Sequence, residues 1–420
     1  MFSLCTSLTG ISVEAGNASY SSQDGVLFNK DKSELIAYPG GKTGDYTIPD
    51  TVQKIQSQAF LGCASITSVS IPAGVTSIGD RAFYKCTSLT SVSIPDTVTS
   101  IGDRAFENCT SLTSVTIPQN VETIGASAFE DCGESLRELI FAAGSKLKTI
   151  GKLAFSGTSI TSVTIPQSVE TIGNSAFYNC PSLATVNFQE NPAITSIGGY
   201  TFYGCTVLGS VDIPDTVTAI GNSAFYNCTA LGSADISAKA ESIGDFAFYG
   251  CTSLVSVTLP AAVASLGECV FCECTALTSI SVADGNTKYS SQDGVLFNKD
   301  KSELIAYPCG KSGGYTVPNT VKTILASAFE SSALTSVTIP DSVTAIGDSA
   351  FENCTALTSV TIPDSVKDLG VGAFYECTAL TSVTISAGIT LIAPNSFYKC
   401  TSLTSVTIPK GVEAIRIYAF

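Results

Sequence analysis

Apolar and polar positions recur along this chain with a period of about 23 residues. The clearest copy of the unit covers residues 334–356, LTSVTIPDSVTAIGDSAFENCTA, and two further copies follow it without a break. About sixteen copies account for the chain, together with two long insertions and a few irregular copies. Self-similarity at a period of 20 to 50 residues indicates a solenoid, in which each unit packs on its neighbours.

The first part of the unit, LTSVTI, predicts a β-strand. Apolar residues alternate there with small hydroxyl residues, as in a strand with one buried face. Val337 and Ile339 are therefore expected to point inward, and Ser336 and Thr338 outward. Pro340 follows at once and ends the strand, because proline has no N–H to donate to a ladder.

The second part of the unit predicts a return path. Val343 and Ile346 form a second apolar corner, and a Gly-Asp-Ser segment follows them. Ala350 and Phe351 come next, in a segment short enough for one turn of α or 3₁₀ helix. Cys354 then closes the unit before the next leucine.

These elements together predict an α/β solenoid. We expect a curved, right-handed array of about 16 coils of about 23 residues, with a parallel β-sheet on its concave face. Short helical or 3₁₀ turns and extended segments would form the convex side. No linker interrupts the repeat, so residues 1–420 are interpreted as a single solenoid. The segment Met1-Phe2-Ser3-Leu4-Cys5 aligns with residues 270–274, and both ends fall within a repeat. An excerpt of a longer protein is therefore expected.

Two insertions, residues 14–47 and 283–316, interrupt the repeat, and they are near-copies of each other. Residues 20–39 and 289–308 are identical. Apolar segments at residues 26–28 and 35–38 flank a polar turn, which predicts a β-hairpin. The hairpin would extend the sheet or pack on its flank, and the alternative is a protruding element that binds a partner.

Composition limits the possible functions. The chain has 21 Lys and Arg against 36 Asp and Glu, a net charge of −15. Such a charge argues against binding to nucleic acid or to an anionic membrane, and no segment is predicted to insert into a membrane. The chain has no histidine, which excludes Ser-His-Asp and Cys-His catalysis within it, and it has no phosphate-binding glycine loop. We therefore predict that the chain is not an enzyme and needs no cofactor.

Thirteen of the sixteen cysteines occupy one slot of the repeat, three residues after its phenylalanine. Thr158 and Ser332 fill the same slot in two other coils, which indicates a small, buried and weakly polar site. A reduced internal ladder of thiols is therefore predicted, and disulfides between neighbouring coils are the alternative. The ladder residues are Cys5, Cys63, Cys86, Cys109, Cys132, Cys180, Cys205, Cys228, Cys251, Cys274, Cys354, Cys377 and Cys400.

Three cysteines, Cys269, Cys272 and Cys309, lie outside that slot. The segment CVFCEC superficially resembles a metal motif, but Cys269 and Cys272 take positions that Ser or Tyr fills elsewhere, and they are expected to point outward. Neither histidine nor a second CxxC pair completes a set of four ligands, so no metal is predicted. A disulfide from Cys309 to Cys269 or to Cys272 is the favoured alternative.

The outward strand positions suggest a candidate binding patch. Most coils carry Ser with Ser or Thr there, which is typical of a solvated face, whereas the middle coils differ. Two of the departures, Asp212 and Asp235, would lie one coil apart, at about 4.8 Å, and could attract a cation or a basic partner. Ordinary drift of the repeat explains the same pattern. The candidate residues are Glu138, Ile140, Asn187, Asp212 and Asp235.

The pattern IPxxVxxIGxxAFxxCxxLxSVxIP, with the insertion YSSQDGVLFNKDKSELIAYP, resembles the BspA-type leucine-rich repeat proteins of host-associated bacteria and protozoa. The resemblance covers essentially the whole chain. It implies a cell-surface or secreted adhesin whose partner is a protein or glycoprotein, such as the extracellular-matrix proteins fibronectin or fibrinogen. It carries no catalytic residue and no ligand motif.

The expected function is thus a non-enzymatic scaffold for protein interaction and cell adhesion. One alternative is a Ser/Thr surface that orders water, as in ice-binding β-solenoids. Another is the scaffold portion of a larger multidomain protein.

Overall fold

The computed structural model describes residues 5–420 of the chain. Residues 1–4, which the sequence aligns with residues 270–273, lie outside the described part. Of that aligned segment only Cys5 is described. The described chain is a β-solenoid of about 17 turns built from parallel strands. It divides into two compact units, Met1–Val217 and Thr218–Phe420, and each unit is described by itself.

Most strands of the first unit fall into two parallel rows. The strands of the long row carry the LTSV segment of each repeat, and those of the short row carry the Ile that precedes glycine. The long row consists of β4 (Gly44–Thr47), β6 (Ile66–Ser70), β8 (Ser91–Ser93), β10 (Ser114–Ile117), β12 (Glu138–Phe141), β14 (Ser162–Ile165), β16 (Thr185–Phe188) and β18 (Ser210–Asp212). The short row consists of β5 (Lys54–Ile55), β7 (Ser77–Ile78), β9 (Ser100–Ile101), β11 (Thr123–Ile124), β13 (Thr149–Ile150), β15 (Thr171–Ile172) and β17 (Ser196–Ile197).

The second unit repeats the same two rows. Its long row consists of β20 (Ser233–Asp235), β22 (Ser256–Leu259), β24 (Ser279–Val282), β28 (Gly313–Thr316), β30 (Leu334–Thr338), β32 (Ser359–Thr361), β34 (Ser382–Thr384) and β36 (Ser405–Thr407). Its short row consists of β19 (Ala219–Ile220), β21 (Ser242–Ile243), β23 (Ser265–Leu266), β29 (Thr323–Ile324), β31 (Ala345–Ile346), β33 (Asp368–Leu369), β35 (Leu391–Ile392) and β37 (Ala414–Ile415).

Each insertion adds three antiparallel strands. In the first unit these are β1 (Tyr20–Gln23), β2 (Val26–Asn29) and β3 (Glu34–Ala37), and in the second they are β25 (Tyr289–Gln292), β26 (Val295–Asn298) and β27 (Glu303–Ala306). The order β1-β2-β3 is antiparallel throughout, and β3 then pairs parallel with β5. The second insertion has the same pairing, from β25 to β29. The predicted hairpin segment thus lies in the sheet and continues into the short row.

Residues 5–420 contain no helix, so the predicted helical or 3₁₀ turns are wrong. At the Ala-Phe turn, successive backbone N–H groups donate alternately to their own coil and to the next coil. Those of Phe60 and Gly62 donate to carbonyls of the next coil over 2.7 Å, while that of Ala59 donates three residues back within its own coil. Gln58 and Gly62 have left-handed φ angles of 64° and 73°. Every second N–H is therefore directed out of the turn, and no helical ladder forms. The described chain accordingly has no helix long and apolar enough to cross a membrane.

Stacked phenylalanines form the centre of each unit. In the first unit the rings of Phe83 and Phe106 are parallel within 4°, with centroids 4.9 Å apart. In the second unit Phe351 and Phe374 stack at 4.9 Å. These rings are fully buried. At the end of the first insertion, Tyr38 stacks on Phe60 at 5.0 Å and takes the place of a repeat phenylalanine.

A carboxylate and a glycine fix the turn that follows each short strand. Asp80 Oδ1 accepts a hydrogen bond from the N–H of Asp103, one coil later, over 3.0 Å. The preceding residue, Gly79, packs so closely on the previous coil that a Cβ there would lie 2.5 Å from the backbone nitrogen of Ser57. The Gly-Asp segment of the repeat is therefore required by contacts between coils rather than by solubility.

Candidate functional site

The long row presents a regular outward face. In β30, Val337 is buried while Ser336 and Thr338 are exposed, as the alternation predicts. The registers Ser359↔Ser382↔Ser405 and Thr361↔Thr384↔Thr407 align the outward hydroxyl residues in the second unit. We call these outward Ser and Thr residues of the long row the hydroxyl face.

Four of the predicted patch residues interrupt the hydroxyl face of the first unit. Glu138 and Ile140 are exposed on β12, and Ile140 retains 43% of its accessible surface. They stand beside Ser114 and Thr116 of β10. An acidic and an apolar side chain therefore replace the hydroxyl residues of the neighbouring strand.

Two neighbouring strands of the first unit carry the other departures. Asn187 is exposed on β16, opposite Thr164 of β14. Asp212 is exposed at the end of β18, which pairs with β16 through Thr185↔Ser210. Extending that register by two residues places Asn187 beside Asp212. The structure thus groups these residues on adjacent strands of one face.

The fifth residue of the predicted patch belongs to the second unit. Asp235 is exposed at the end of β20, where Ser233 is the other outward residue. The expected spacing of one coil between Asp212 and Asp235 stays a prediction.

The cysteine slot is a ladder of reduced thiols, as predicted. Twelve of its thirteen cysteines are buried, Cys5 is exposed, and none of the thirteen forms a disulfide bond. The thiol of Cys86 donates to the carbonyl of Phe60 in the preceding coil over 3.1 Å, and Cys109 donates to Phe83 over the same distance. Burial raises the pKa of Cys63 to about 12. These thiols are hydrogen-bonded structural groups and are not poised for reaction.

Three side chains of metal-ligating types converge in the second unit. The sulfur atoms of Cys269 and Cys272 and a carboxylate oxygen of Glu330 all lie within 4.8 Å of one another. The Cys269 thiol donates to Glu330 Oε2 over 3.3 Å. We call Cys269, Cys272 and Glu330 the thiol–carboxylate cluster. Its ligand types are those of a site for a thiophilic metal ion.

Both Cys269 and Cys272 were predicted to point outward, and the prediction is wrong for Cys272. Cys272 is buried, with 7% of its surface exposed, whereas Cys269 is half-buried. Cys272 lies directly after Phe271, and Glu330 lies directly after Phe329, so the two share one slot of the repeat. The Tyr307 turn of the insertion lies between their coils, and Tyr307 stacks on Phe329 at 5.0 Å. Ile305, Ala306 and Tyr307 of the insertion line the same cavity as Cys272.

The cluster lies in an electronegative setting. Burial raises the pKa of Glu330, and the carboxylates of Glu352 and Glu273 raise it further. Contact with the Cys269 thiol, together with burial, raises the pKa of Cys272 well above its usual value. No ion pair among residues 5–420 involves Glu330 or Glu273. The negative groups here thus have no protein cation beside them.

Cys309 lies beside the cluster but bonds elsewhere. Its thiol faces the carbonyl oxygens of Glu330 at 3.3 Å and of Phe271 at 3.6 Å. It is free, as are Cys269 and Cys272, so the structure contains none of the disulfides considered for it. Glu330 was not among the residues predicted from the sequence. The sequence does place Cys272 and Glu330 at the same position of the repeat, directly after its phenylalanine, on either side of the insertion, and this could have indicated that they lie close together.

Comparison with protein families gives one assignment. A family model described as BspA type leucine rich repeat region matches residues 37–150, 148–278 and 306–420. A comparison with curated proteins gives no match.

Solved structures include similar solenoids. A leucine-rich repeat protein from Bacteroides ovatus is 27% identical, with a TM-score of 0.61, and the match covers 96% of each chain. A leucine rich cell surface protein from Faecalibacterium prausnitzii is 28% identical over 97% of this chain and 87% of its own, with a TM-score of 0.38. The pneumococcal vaccine antigen PcpA is 20% identical over 96% of this chain and 93% of its own, with a TM-score of 0.42.

Proposed function

The chain belongs to the BspA-type leucine-rich repeat family, and we propose that it is a non-enzymatic scaffold that binds a protein or glycoprotein at the cell surface or after secretion. Solenoids of stacked repeats offer extended binding surfaces. Function resides in particular sites on a fold rather than in the fold itself, and we look for the site where residues depart from the repeat. Adhesion through an extracellular-matrix protein is the form of this function that the family resemblance favours.

The observation that carries the proposal is the interruption of the hydroxyl face. Glu138, Ile140, Asn187 and Asp212 replace Ser or Thr on strands β12, β16 and β18 of the first unit. An exposed apolar side chain among acidic and amide groups provides an anchor with a polar rim, as binding surfaces do. Asp235 makes the same replacement in the second unit, and we include it in the proposed site.

The charge of these residues defines the partner. Glu138, Asp212 and Asp235 are acidic, and the whole chain carries a net charge of −15. We therefore expect a partner with a basic surface, whose association slows as salt concentration rises.

A binding assay with a reverted face tests the proposal. The chain would be titrated against immobilised fibronectin and fibrinogen, beside the variant Glu138→Ser/Ile140→Thr/Asn187→Thr/Asp212→Thr, which restores the repeat residues. We expect saturable binding that weakens at least about tenfold in the variant, equivalent to about 1.4 kcal/mol. Asp235→Thr would be measured separately, and a partial loss is expected.

A matched control uses the regular part of the hydroxyl face. The variant Thr361→Ala/Thr384→Ala changes aligned residues of β32 and β34 and should bind like the original chain. Equal binding by the reverted variant would move the site away from the patch. A folded chain that binds neither matrix protein would contradict the adhesive form of the proposal.

The aligned hydroxyl face also favours a second candidate function, the ordering of water. In the second unit Thr361, Thr384 and Thr407 are in register at the spacing of paired strands, about 4.8 Å. Inhibition of ice growth would test this candidate. Loss of that inhibition in Thr361→Ala/Thr384→Ala would support it, and absence of inhibition by the original chain would exclude it.

A further inference from the structure

We infer that the thiol–carboxylate cluster of Cys269, Cys272 and Glu330 is a binding site for a zinc ion, held by two thiolate sulfurs and one carboxylate oxygen. This inference is independent of the proposed adhesive function. It rests on the convergence of three ligand groups, the size of the cavity that they line and the surrounding negative charge.

The geometry suits a tetrahedral ion. Zinc binds sulfur at about 2.3 Å and carboxylate oxygen at about 2.1 Å, so two such ligands on a tetrahedron lie about 3.6 Å apart. The Cys269 sulfur and Glu330 Oε2 are 3.3 Å apart, and no pair within the cluster exceeds 4.8 Å. A small inward movement of the Cys272 side chain would therefore complete the three protein bonds.

The cavity has room for the ion and one further small ligand. It has a volume of about 30 Å³ and is lined by Cys269, Cys272, Cys309, Ser327 and Glu330. A water molecule occupies about 10–15 Å³ on this measure. Cys269 and Glu330 are only partly buried, so the ion has an entry path from solvent. The fourth tetrahedral position would belong to a water molecule, as in other three-ligand zinc sites.

The donor set selects the metal. Thiolates exclude magnesium and calcium, which prefer oxygen ligands, and the carboxylate disfavours copper(I), which prefers soft ligands. Zinc would displace the protons of both thiols to solvent and bind the resulting two thiolates and the carboxylate. No ion pair in the described chain neutralises Glu330, and a divalent cation would balance two of the three negative charges of the ligand set.

The duplicated insertion shows that the cluster is a local departure and not a general feature of the repeat. Shifting the second copy by 289 − 20 = 269 positions aligns Glu330 with Leu61 and Cys309 with Gly40. The coil that follows the first insertion therefore has no carboxylate at this position, although the two segments 20–39 and 289–308 are identical. The metal ligands come from the coils around the second insertion.

Metal content per chain tests the inference. The reduced chain would be incubated with zinc chloride, passed through gel filtration and analysed by mass spectrometry of the metal. We expect one zinc per chain, and its loss in Cys269→Ser, Cys272→Ser and Glu330→Gln. Cys109→Ser, in the buried ladder, and Glu130→Gln, in the slot of Glu330 but in the first unit, are matched controls that should keep the zinc. Cys309→Ser should also keep it.

Two further measurements separate loss of ligands from loss of fold. Cobalt(II) should give thiolate-to-metal charge-transfer absorption and tetrahedral d–d bands with the original chain, which disappear in Glu330→Gln and in the two ligand cysteine variants. Zinc should raise the Tm of the original chain and leave that of Glu330→Gln unchanged. Circular dichroism would identify a variant that fails to fold. If a cysteine variant does not fold, the zinc content of the near-isosteric Glu330→Gln variant tests the inference.

Three outcomes would overturn the inference. The first is a folded chain that retains no zinc, and the second is an unchanged zinc content in the three ligand variants. The third is a Cys269–Cys272 disulfide, found by peptide mapping under the same reducing conditions. Loss of zinc in Cys309→Ser would refute the set of three ligands.

Discussion

The thiol of Cys86 donates a hydrogen bond to the carbonyl oxygen of Phe60, 26 residues earlier and one coil away, over 3.1 Å. Cys132 and Phe106, and Cys251 and Phe225, repeat the contact at the same sequence spacing. The repeat cysteine thus satisfies a buried backbone carbonyl of the coil before it. A donor therefore suits these coils better than a purely apolar residue. The other two occupants of the slot bond differently: Thr158 donates to Phe155 of its own coil over 2.8 Å, and the Ser332 hydroxyl contacts the Cys354 thiol at 3.3 Å.

We predict that removal of the hydrogen-bond donor at a ladder cysteine lowers the free energy of unfolding more than replacement of sulfur by oxygen does. Cys109→Val leaves the carbonyl of Phe83 without a partner and should lower the free energy of unfolding by about 1–3 kcal/mol. Cys109→Ser keeps a donor that can reach the carbonyl of Phe83 and should cost less, and Ser332 shows that a serine fits this slot while 98% buried. Urea unfolding of both variants would measure the difference. A Ser variant that is less stable than the Val variant would contradict this role of the thiol.

We predict that the fold loses stability in alkali through the same thiols. Burial raises the pKa of Cys132 to about 12 and that of Cys180 to about 11, from an ordinary value of 9.0. The stability from each neutral thiol is fully present below pH 9 and is lost as the pH rises toward the folded pKa. In that pH range each thiol lowers the free energy of unfolding by up to about 1.4 kcal/mol per pH unit. Urea midpoints at pH 7, 9 and 10.5 would show the decline.

A cysteine variant controls the alkaline experiment. Cys132→Ser removes one titrating thiol and should make the decline between pH 9 and 10.5 less steep. An identical slope in the variant would show that other groups, such as Tyr38, whose pKa burial raises to about 12, cause the alkaline loss.

We predict that Gly79→Ala is strongly destabilising. The added Cβ would lie 2.5 Å from the Ser57 backbone nitrogen and 2.8 Å from the Gln56 carbonyl carbon, so two coils would have to separate. A loss above about 3 kcal/mol is expected. Gly209→Ala is the matched control, because nothing lies within 4 Å of its Cβ, and it should change stability by less than about 0.5 kcal/mol. Thermal unfolding of the two variants would compare them directly.

We predict that Asp348 stabilises its turn through an acceptor oxygen and not through its charge. Its Oδ1 accepts a hydrogen bond from the N–H of Val371 over 2.7 Å. Asp348→Ala should cost about 1–3 kcal/mol, because that N–H loses its partner. Asp348→Asn should cost little, since Asn222 Oδ1 makes the same bond to Asp245 in another coil.

The exposed Asp341 provides the control for that prediction. Asp341→Ala removes the same charge without this hydrogen bond and should be nearly neutral. Equal losses for Asp341→Ala and Asp348→Ala in urea unfolding would show that net charge, and not the acceptor, determines the effect.

The sequence predicted the solenoid because every coil repeats one local pattern. The alternation around Val337 determines which residues point inward, and the fixed phase of cysteine and phenylalanine determines the buried stack. The turn at Phe60 could not be assigned in this way. A short Ala-Phe segment suits a helical turn locally, but the carbonyls of the next coil accept alternate N–H groups and hold two residues in left-handed conformations. Contacts between coils thus override local preference.

The thiol–carboxylate cluster could not be predicted from the sequence for a different reason. Glu330 is separated from Cys269 by 61 residues, and the insertion lies between them. Counting within one coil predicts that Cys272 points outward, whereas the structure buries it beside a cavity that Tyr307 of the insertion also lines. The acidic replacements at Glu138 and Asp212 were visible, because they lie on regular strands whose outward positions follow from the alternation.

The duplicated insertion has a consequence for how such a chain changes length. The two copies have identical segments, residues 20–39 and 289–308, with the same strand pairing. Recombination between the corresponding stretches of the gene would excise 289 − 20 = 269 residues and rejoin the chain in phase, without breaking a strand of either copy. The segment between the copies is therefore a removable cassette. Its loss would delete Cys269 and Cys272 together with every residue of the proposed binding patch, and of the thiol–carboxylate cluster only Glu330 would remain.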